Sequence, residues 1–272
     1  MKNKISIKVN CFKGFSYEQT LSGIKNAGFN FVELSTSNGN SLGLSQDMSL
    51  DQINNIKDDL NKRKLTPIAI GGNSYIMDDD TSKIISNIKL AELFECKYID
   101  TTVFNARNDK GIIAKDEDVI KHIQYYIPYL EQYNKTLVIE LHGEYSTGKS
   151  LINILKTINN EHIKINYDTG NVIFYANYDV ETMLNDFSNC INYVGFMHLK
   201  DKLDDKSVWN FPAIGKGYIP FEKIFEILQN ANNSSPLIVE IEFTEKGVNN
   251  IEEVNSALSD SVNYLQSLNI EL

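Results

Sequence analysis

The sequence has few cysteines and no long apolar run, and both absences limit what the protein can be. Its three cysteines, Cys11, Cys96 and Cys190, are an odd number, lie far apart and form no C-x-x-C pair. This pattern argues against a disulfide scaffold, a zinc ribbon or a dithiol redox centre, and we expect reduced, mostly buried thiols. No stretch approaches the roughly 18 consecutive apolar residues that indicate a membrane-spanning helix. We therefore expect no membrane partner.

Positive charge is also scarce. The chain has 26 lysines and arginines against 36 aspartates and glutamates, which gives a formal net charge of −10. An acidic protein repels the phosphate backbone of nucleic acids unless it carries a local basic patch, so we expect no nucleic-acid partner. The first residues, MKNKISIKVN, lack the apolar stretch of a signal peptide. A cytoplasmic location is the resulting expectation.

What the sequence does contain is an alternation of short apolar segments with longer helical patterns. The apolar segments are rich in β-branched and aromatic residues, which is typical of buried strands. The predicted strands cover residues 5–10, 31–34, 66–70, 98–101, 136–140, 163–167, 194–198 and 237–242.

The helical patterns carry start and stop signals. Ser16 with Gln19 and Ser49 with Gln52 have the spacing of a capping box, which predicts that the first two helices begin there. Gly28 predicts the end of the first helix. The other predicted helices cover residues 81–94, 116–132, 149–158, 179–187, 221–229 and 251–268.

Eight such units predict one domain over residues 1–272. Dividing the 272 residues by eight gives 34 per unit, about the size of one β-loop-α-loop module, and no Pro/Ser-rich linker separates the units. The predicted fold is α/β, a single (β/α)8 TIM barrel, for which about 250 residues are typical. An open dinucleotide-binding sheet is disfavoured, because the segment after the first strand, Asn10-Cys11-Phe12-Lys13-Gly14, lacks the G-x-G-x-x-G pattern.

The last four predicted strands each bring a metal-ligating residue type to their carboxyl end. These residues are Glu140, Asp168, His198 and Glu240, separated by 28, 30 and 42 residues. Such spacing places all four at the mouth of the barrel where active sites are built. Buried carboxylates are costly unless they are paired or bind a cation. Three carboxylates and one imidazole suit Mn²⁺ first, with Mg²⁺, Co²⁺ or Zn²⁺ as alternatives.

Six short segments, taken in order, resemble the sugar phosphate isomerase/epimerase family, the xylose-isomerase-like barrels. The series E-x-H-G, D-T-G-N, H-x-K-D, G-x-G and E-x-E is more specific than any one of its motifs, and the resemblance covers nearly the whole chain. The segments are VELS at 32–35, IELHG at 139–143, YDTGN at 167–171, HLKDK at 198–202, FPAIGKG at 211–217 and VEIEF at 239–243.

The resemblance implies a divalent metal held by Glu140, Asp168, His198 and Glu240, with the two glutamates also serving as acid and base. It further implies activity on a small sugar or keto-sugar. Ketose 3-epimerases usually have a histidine three residues after the ligand aspartate and an arginine six after the ligand histidine. This chain has Asn171 and Asp204 there, so the substrate contacts of that subgroup are not carried over.

A cation that binds a sugar carbonyl and the neighbouring hydroxyl acidifies the C–H between them, because it stabilises the enediolate. Glu140 and Glu240 as base and acid would then epimerise or isomerise the sugar. The same enediolate with a β-hydroxyl would lose water, so a lyase acting on a keto-inositol or 3-keto sugar is the alternative. An endonuclease or a sugar-binding barrel without turnover is less favoured, since only four histidines are present and acid and base candidates are in place.

Further site candidates lie near the four ligands. His142 shares the face of Glu140 and is a candidate catalytic residue; its alternative is a histidine satisfied by loop carbonyls. Lys200 shares the face of His198 and is expected to stabilise an oxyanion or to keep Glu240 ionised, although structural charge neutralisation would place it there as well. Glu242 is the rival of Glu240 as fourth ligand.

Candidate substrate contacts each have a structural alternative. Asn171 either reaches substrate oxygen or caps the next turn. Trp209 and Phe211 either stack on a sugar or pack in the core. Glu33 either faces the mouth or forms a structural ion pair. Gly215-Lys216-Gly217 could cradle a phosphate but does not open a helix. Among partners, a second copy of this chain in a homo-oligomer is also a candidate.

Overall fold

The computed structural model describes residues 2–105, 113–203 and 207–272. Eight parallel strands close into a barrel in which each pairs with the next barrel strand along the chain and the last pairs with the first, so the predicted TIM barrel is confirmed. A two-stranded antiparallel ribbon lies outside it. The barrel strands are β1 (Ile5–Lys8), β2 (Phe31–Ser35), β3 (Thr66–Tyr75), β4 (Tyr98–Thr102), β5 (Thr136–Glu140), β6 (Ile163–Asp168), β7 (Val194–Leu199) and β9 (Leu237–Val239), and the ribbon strands are β8 (Asn210–Phe211) and β10 (Phe243–Thr244).

The helices alternate with the barrel strands. Both capping boxes form as predicted, at Ser16 and at Ser49. In the described part of the chain, no helix combines the length and apolar character needed to cross a membrane. The helices are α1 (Tyr17–Asn26), α2 (Leu50–Lys62), α3 (Ser82–Leu93), α4 (Asp116–Gln132), α5 (Gly148–Ile158), α6 (Thr169–Ala176), α7 (Val180–Cys190), α8 (Phe221–Asn230) and α9 (Ile251–Ser267), with 3-10 turns at Val9–Phe12 and Ile191–Tyr193.

Two strands are shorter than predicted and one helix was missed. β1 ends at Lys8 because the chain turns into the 3-10 segment Val9–Phe12, and β9 ends at Val239. The missed helix, α6, follows β6 without a loop. Its start is fixed by Asp168, whose carboxylate accepts the backbone N–H of Asn171 at 2.8 Å. A predicted ligand is therefore also a helix N-cap.

Inside the barrel, an apolar floor lies below a polar layer. Ile68, Val138, Phe196 and Ile238 belong to one buried apolar cluster that is separate from the main core. Side chains on a strand alternate in direction, so the residue two positions further faces the same way. The residues two positions after Val138, Phe196 and Ile238 are three of the predicted metal ligands, Glu140, His198 and Glu240. The three cysteines are free and buried, as expected.

Candidate metal centre and active site

The structure brings the four predicted ligands together. Glu140, Asp168, His198 and Glu240 are buried, and each offers one ligand atom within 4.8 Å of the others. Nδ1 of His198 lies 3.3 Å from Glu140 Oε1, 3.6 Å from Asp168 Oδ2 and 3.3 Å from Glu240 Oε2. The four residues come from the carboxyl ends of β5, β6 and β7 and from the position after β9.

His198 is held from below by Glu33. Its Nε2 lies 2.8 Å from Glu33 Oε2, and neither side chain is exposed. Because Nε2 donates to a carboxylate, Nδ1 is left facing the three acidic ligands, an arrangement that orients metal-binding histidines in many proteins. Burial and Lys8 would lower the pKa of His198, but Glu33, Glu240 and Asp168 raise it well above its ordinary value.

Two buried lysines partly neutralise the acidic residues. Lys200 Nζ lies 3.0 Å from Asp168 and 2.9 Å from both Glu240 and Glu242. Lys8 Nζ lies 3.0 Å from Glu240. Burial alone would lower the pKa of each lysine, yet the surrounding carboxylates raise it well above the usual value. Both lysines are therefore charged at neutral pH.

The two glutamates of the candidate metal centre are ionised. Burial would raise the pKa of Glu140, but Lys8 and His198 hold it well below its usual range. Burial likewise opposes ionisation of Glu240, whereas Lys200 and Lys8 lower its pKa to about 2. Asp100 behaves differently, because burial and the neighbouring Glu140 raise its pKa well above the ordinary value.

The donor set fits a divalent cation. Asp168 Oδ2 and Glu240 Oε2 are buried without a partner in hydrogen-bond geometry, although Lys200 lies close to both. These are the atoms that face His198 Nδ1. Three carboxylates and one imidazole nitrogen converge here, which is the ligand chemistry that Mn²⁺ or a similar ion takes.

The structure also separates Glu240 from its rival, Glu242. Glu240 belongs to the four-residue group, whereas Glu242 does not. The Glu242 side chain is 23 % exposed and pairs with Lys200 at the cavity wall. Burial and the nearby Glu240 raise the pKa of Glu242 above its ordinary value, in the opposite direction to the shifts of Glu140 and Glu240.

Asn171 is a supporting residue and does not line the cavity. It is fully buried, and its side-chain amide donates to Glu140 Oε1 at 3.2 Å and to the Leu141 carbonyl at 3.1 Å. His142, by contrast, lines the cavity, with Nε2 3.1 Å from the Tyr175 hydroxyl. Burial lowers the pKa of His142, so its imidazole is neutral at physiological pH.

Two candidate substrate contacts lie where their structural alternatives place them. Glu33 is fully buried beneath His198, which matches its structural alternative. Phe211 is also fully buried, lies behind Lys200 and packs against Trp209. Trp209 lines the cavity as expected. The sequence left both alternatives open for Glu33 and Phe211, because it does not tell which of two neighbouring layers each residue occupies. Asp204 lies outside the described residues.

Three buried polar residues of the site, Lys8, Asp100 and Asn166, were missed by sequence reasoning. Lys8 contacts Glu33 at 3.6 Å and Asp100 at 3.7 Å, in addition to Glu240. Asn166 donates to Asp100 at 2.9 Å and contacts the His198 ring. A signal for Lys8 existed, since Ser6 and Lys8 alternate with apolar residues in a short buried strand.

The site opens into a cavity of about 400 Å³, a volume within the range of small-molecule sites. Behind one wall, the buried Asn87 amide donates to the Gly72 carbonyl at 3.0 Å and to Ser74 Oγ at 3.1 Å, which fixes the carboxyl end of β3. Beside the charged residues that also line the cavity, its lining has a polar and uncharged part. Its residues include Ser37, Asn38, Asn40, Asn73, Ser74, Thr101, Thr102 and Asn105.

The glycine segment considered as a phosphate cradle is already occupied by a carboxylate. Asp201 Oδ2 accepts the backbone N–H groups of Gly215 and Gly217, each at 2.8 Å. A Cβ on Gly217 would clash with Asp201 and with the Lys202 carbonyl. Asp201 therefore anchors the segment that leads from β7 to α8, and these two amides are not available to a substrate phosphate.

The protein is a parallel barrel with a candidate metal centre, formed by three buried carboxylates and one buried histidine at the carboxyl ends of its strands. The model of the xylose isomerase-like TIM barrel family matches residues 21–268. The chain belongs to this family. No protein in the curated set matches the sequence.

Solved structures with the same fold are only 13–16 % identical to this chain in the examples below, so they establish the fold alone. D-psicose 3-epimerase from Clostridium cellulolyticum H10, solved with D-tagatose, has a TM-score of 0.77 and 13 % identity over 98 % of this chain and 100 % of that chain. The probable 3-DHS dehydratase AsbF of Bacillus anthracis has a TM-score of 0.73 and 16 % identity over 97 % and 98 %. The 3-keto-D-glucoside 4-epimerase of E. coli has a TM-score of 0.71 and 16 % identity over 97 % and 99 %.

Proposed function

We propose that this protein is a divalent-metal-dependent isomerase or epimerase of an unphosphorylated keto-sugar. The observation that carries the proposal is the buried group Glu140, Asp168, His198 and Glu240, which faces a polar cavity of about 400 Å³. Folds of this family occur in sugar epimerases such as D-psicose 3-epimerase. A neutral hydroxyl- and amide-rich wall, together with the use of two loop amides by Asp201, favours a substrate without phosphate.

A divalent ion bound by the four residues would polarise the carbonyl of the sugar and so acidify the adjacent C–H. Glu140 and Glu240 are the acid and base. Because β6 and β7 lie between β5 and β9 in the barrel, these glutamates approach the centre from different directions. Both are ionised in the resting site, so one takes a proton from the carbon and the other returns a proton that it first receives from solvent, which inverts that carbon when the two faces differ. Their low pKa values make them weak bases, so the reaction depends on an acidified C–H.

Lys200 and His142 support this chemistry. Lys200 keeps Glu240 ionised through a contact of 2.9 Å and is close enough to the cavity to stabilise negative charge on a substrate oxygen. His142, neutral and lining the cavity, donates a hydrogen bond to a substrate hydroxyl or accepts one from it. Asn171 fixes the Glu140 carboxylate through its amide.

The test is solvent-deuterium exchange into ketoses, inososes and 3-keto sugars, followed by mass spectrometry. We expect one sugar class to gain deuterium next to its carbonyl with Mn²⁺-loaded protein, and Glu140→Gln to lower that rate at least a hundredfold. Full exchange after EDTA treatment, with metal loss shown by elemental analysis, would exclude the metal. Unchanged exchange by Glu140→Gln would remove Glu140 from the reaction.

A lyase acting on a keto-inositol or 3-keto sugar is the second candidate. It is favoured by Glu242, whose raised pKa and position at the cavity wall beside Lys200 suit it to protonate a leaving hydroxyl. Product mass separates the two functions, because an isomerase leaves it unchanged and a lyase lowers it by one water. Loss of water that persists in Glu242→Gln would exclude Glu242 as the acid.

A further inference from the structure

A second cavity lies next to the cavity above the candidate metal centre. This second compartment of about 580 Å³ is lined by residues after β1 and β9. Four residues, Asn10, Lys13, Trp209 and Glu242, line both compartments. The two spaces therefore adjoin at the barrel mouth, where these four side chains form their common border.

The common border is fixed in place. Trp209 packs edge-on against Phe174 and Phe211, with ring centroids 5.2 and 5.0 Å apart. The segment after Trp209 is tied to the segment after Glu242 by the ribbon, in which Phe211 pairs with Phe243. A half-buried indole of this kind is the usual platform for the apolar face of a sugar ring.

One residue that lines the second compartment has a strained backbone conformation. Phe243, which lines it, has a φ of +56°. Bulky residues rarely adopt this left-handed conformation, which is retained mainly where function or packing requires it. The strain lies directly after Glu242, at the boundary between the two compartments.

Charges in the second compartment balance. Its lining contains Lys13 and Lys246 against Glu242 and Glu245, beside the uncharged Thr244, Val248 and aromatic side chains. A phosphate or nucleotide would meet two carboxylates there as well as the two lysines, so the lining offers no net positive charge to an anion. A neutral group with hydroxyls and an apolar face, such as a second sugar ring, suits this lining better.

We infer that the substrate is a keto-glycoside, with its keto ring at the metal centre and a second neutral ring in the compartment between Trp209 and Val248. This inference rests on the proposed function and names its substrate class. Contacts to a remote, non-reacting ring provide binding energy that raises kcat/KM. A free monosaccharide would leave that compartment to water and lose this contribution.

The test compares 3-ketocellobiose with 3-keto-D-glucose on Mn²⁺-loaded protein. Titration monitored by Trp209, the only tryptophan of the chain, gives affinity, and deuterium exchange gives kcat/KM. We expect both quantities to favour the disaccharide at least tenfold. Val248→Phe, which fills the compartment, should bring this ratio close to one. Since Val248 also packs against the core, the exposed Thr244 provides a second filling variant, Thr244→Tyr, with the same expected result.

Asn38→Phe is the matched control, because Asn38 lines the first compartment and not the second. It should weaken both sugars and preserve their ratio. Equal affinity and equal kcat/KM for the two sugars in the wild type, or a preference that survives both filling variants, would overturn the inference. Deuterium exchange into either sugar supports the proposed function, whatever the binding ratio is. The binding ratio can be measured even if neither sugar is turned over, so failure of this inference and failure of the proposed function are distinguishable.

Discussion

Replacing Lys8 by methionine tests how the barrel interior tolerates its carboxylates. Lys8 is 7 % exposed and lies 3.0 Å from Glu240, 3.6 Å from Glu33 and 3.7 Å from Asp100. Methionine keeps much of the side-chain volume but removes the charge. Breaking a buried ion pair by removing one partner costs about 3–5 kcal/mol. In metal-free protein at pH 7, we expect this loss of unfolding free energy and a melting temperature lower by about 6–10 °C.

The loss of unfolding free energy caused by Lys8→Met depends on pH. Glu240 has an ordinary pKa of 4.5, burial opposes its ionisation, and Lys200 and Lys8 together bring its pKa to about 2 in the folded protein. A carboxylate with a lowered folded pKa contributes stability that is fully present above 4.5 and is lost as the pH falls towards 2. Lys8 supplies part of this contribution. The difference between wild type and Lys8→Met should therefore narrow as the pH is lowered below 4.5.

Denaturant unfolding monitored by Trp209 fluorescence and by circular dichroism measures the effect. Lys62→Met is the control, because Lys62 is 72 % exposed and pairs with Asp59 at 3.2 Å. A surface pair of this kind contributes less than about 1 kcal/mol. Equal destabilisation by the two substitutions, or a Lys8→Met effect that does not change with pH, would refute the assignment of Lys8 as the internal counter-charge of the site.

Three further predictions concern residues that support the site. Glu33→Gln weakens the hold on His198 Nε2 and should lower Mn²⁺ affinity about 10–100-fold in calorimetry; unchanged affinity would contradict the orienting role. Asn171→Leu removes the amide that donates to Glu140 and should lower kcat/KM about tenfold, with deuterium exchange as the assay and a wild-type rate as the contrary result. Asp201→Asn places a neutral amide against four backbone N–H groups and should cost about 2–3 kcal/mol in thermal unfolding, whereas an unchanged melting temperature would show that the segment does not depend on this carboxylate.

Most of the fold could be predicted because strands and helices alternate with clear local signals. Capping boxes at Ser16 and Ser49 located two helix starts. The errors arise where tertiary structure overrides local pattern. The apolar run after Lys8 reads as strand but forms a 3-10 turn, and α6 begins on a metal-ligand candidate, Asp168, whose side chain serves as the cap.

The four candidate ligands could be predicted because a buried carboxylate or imidazole at a strand end is conspicuous and their spacing follows the repeat. The positive charges that balance these carboxylates could not be predicted. Lys8 contributes to the site only because β1 pairs with β9 to close the barrel, and that neighbour is more than 230 residues away in the chain. Glu33 and Phe211 were assigned to the correct end of the barrel, but their depth depends on packing and not on a local signal.

The central claim is that Glu140, Asp168, His198 and Glu240 hold one divalent cation. Crystals grown with Mn²⁺ and measured at the manganese absorption edge test it directly. We predict one anomalous peak per chain, within about 2.0–2.3 Å of His198 Nδ1 and of one oxygen from each carboxylate, as oxygen and nitrogen ligands require. No peak at this position, or a peak only at the neighbouring group Glu33, Asp100 and His198, would contradict the account.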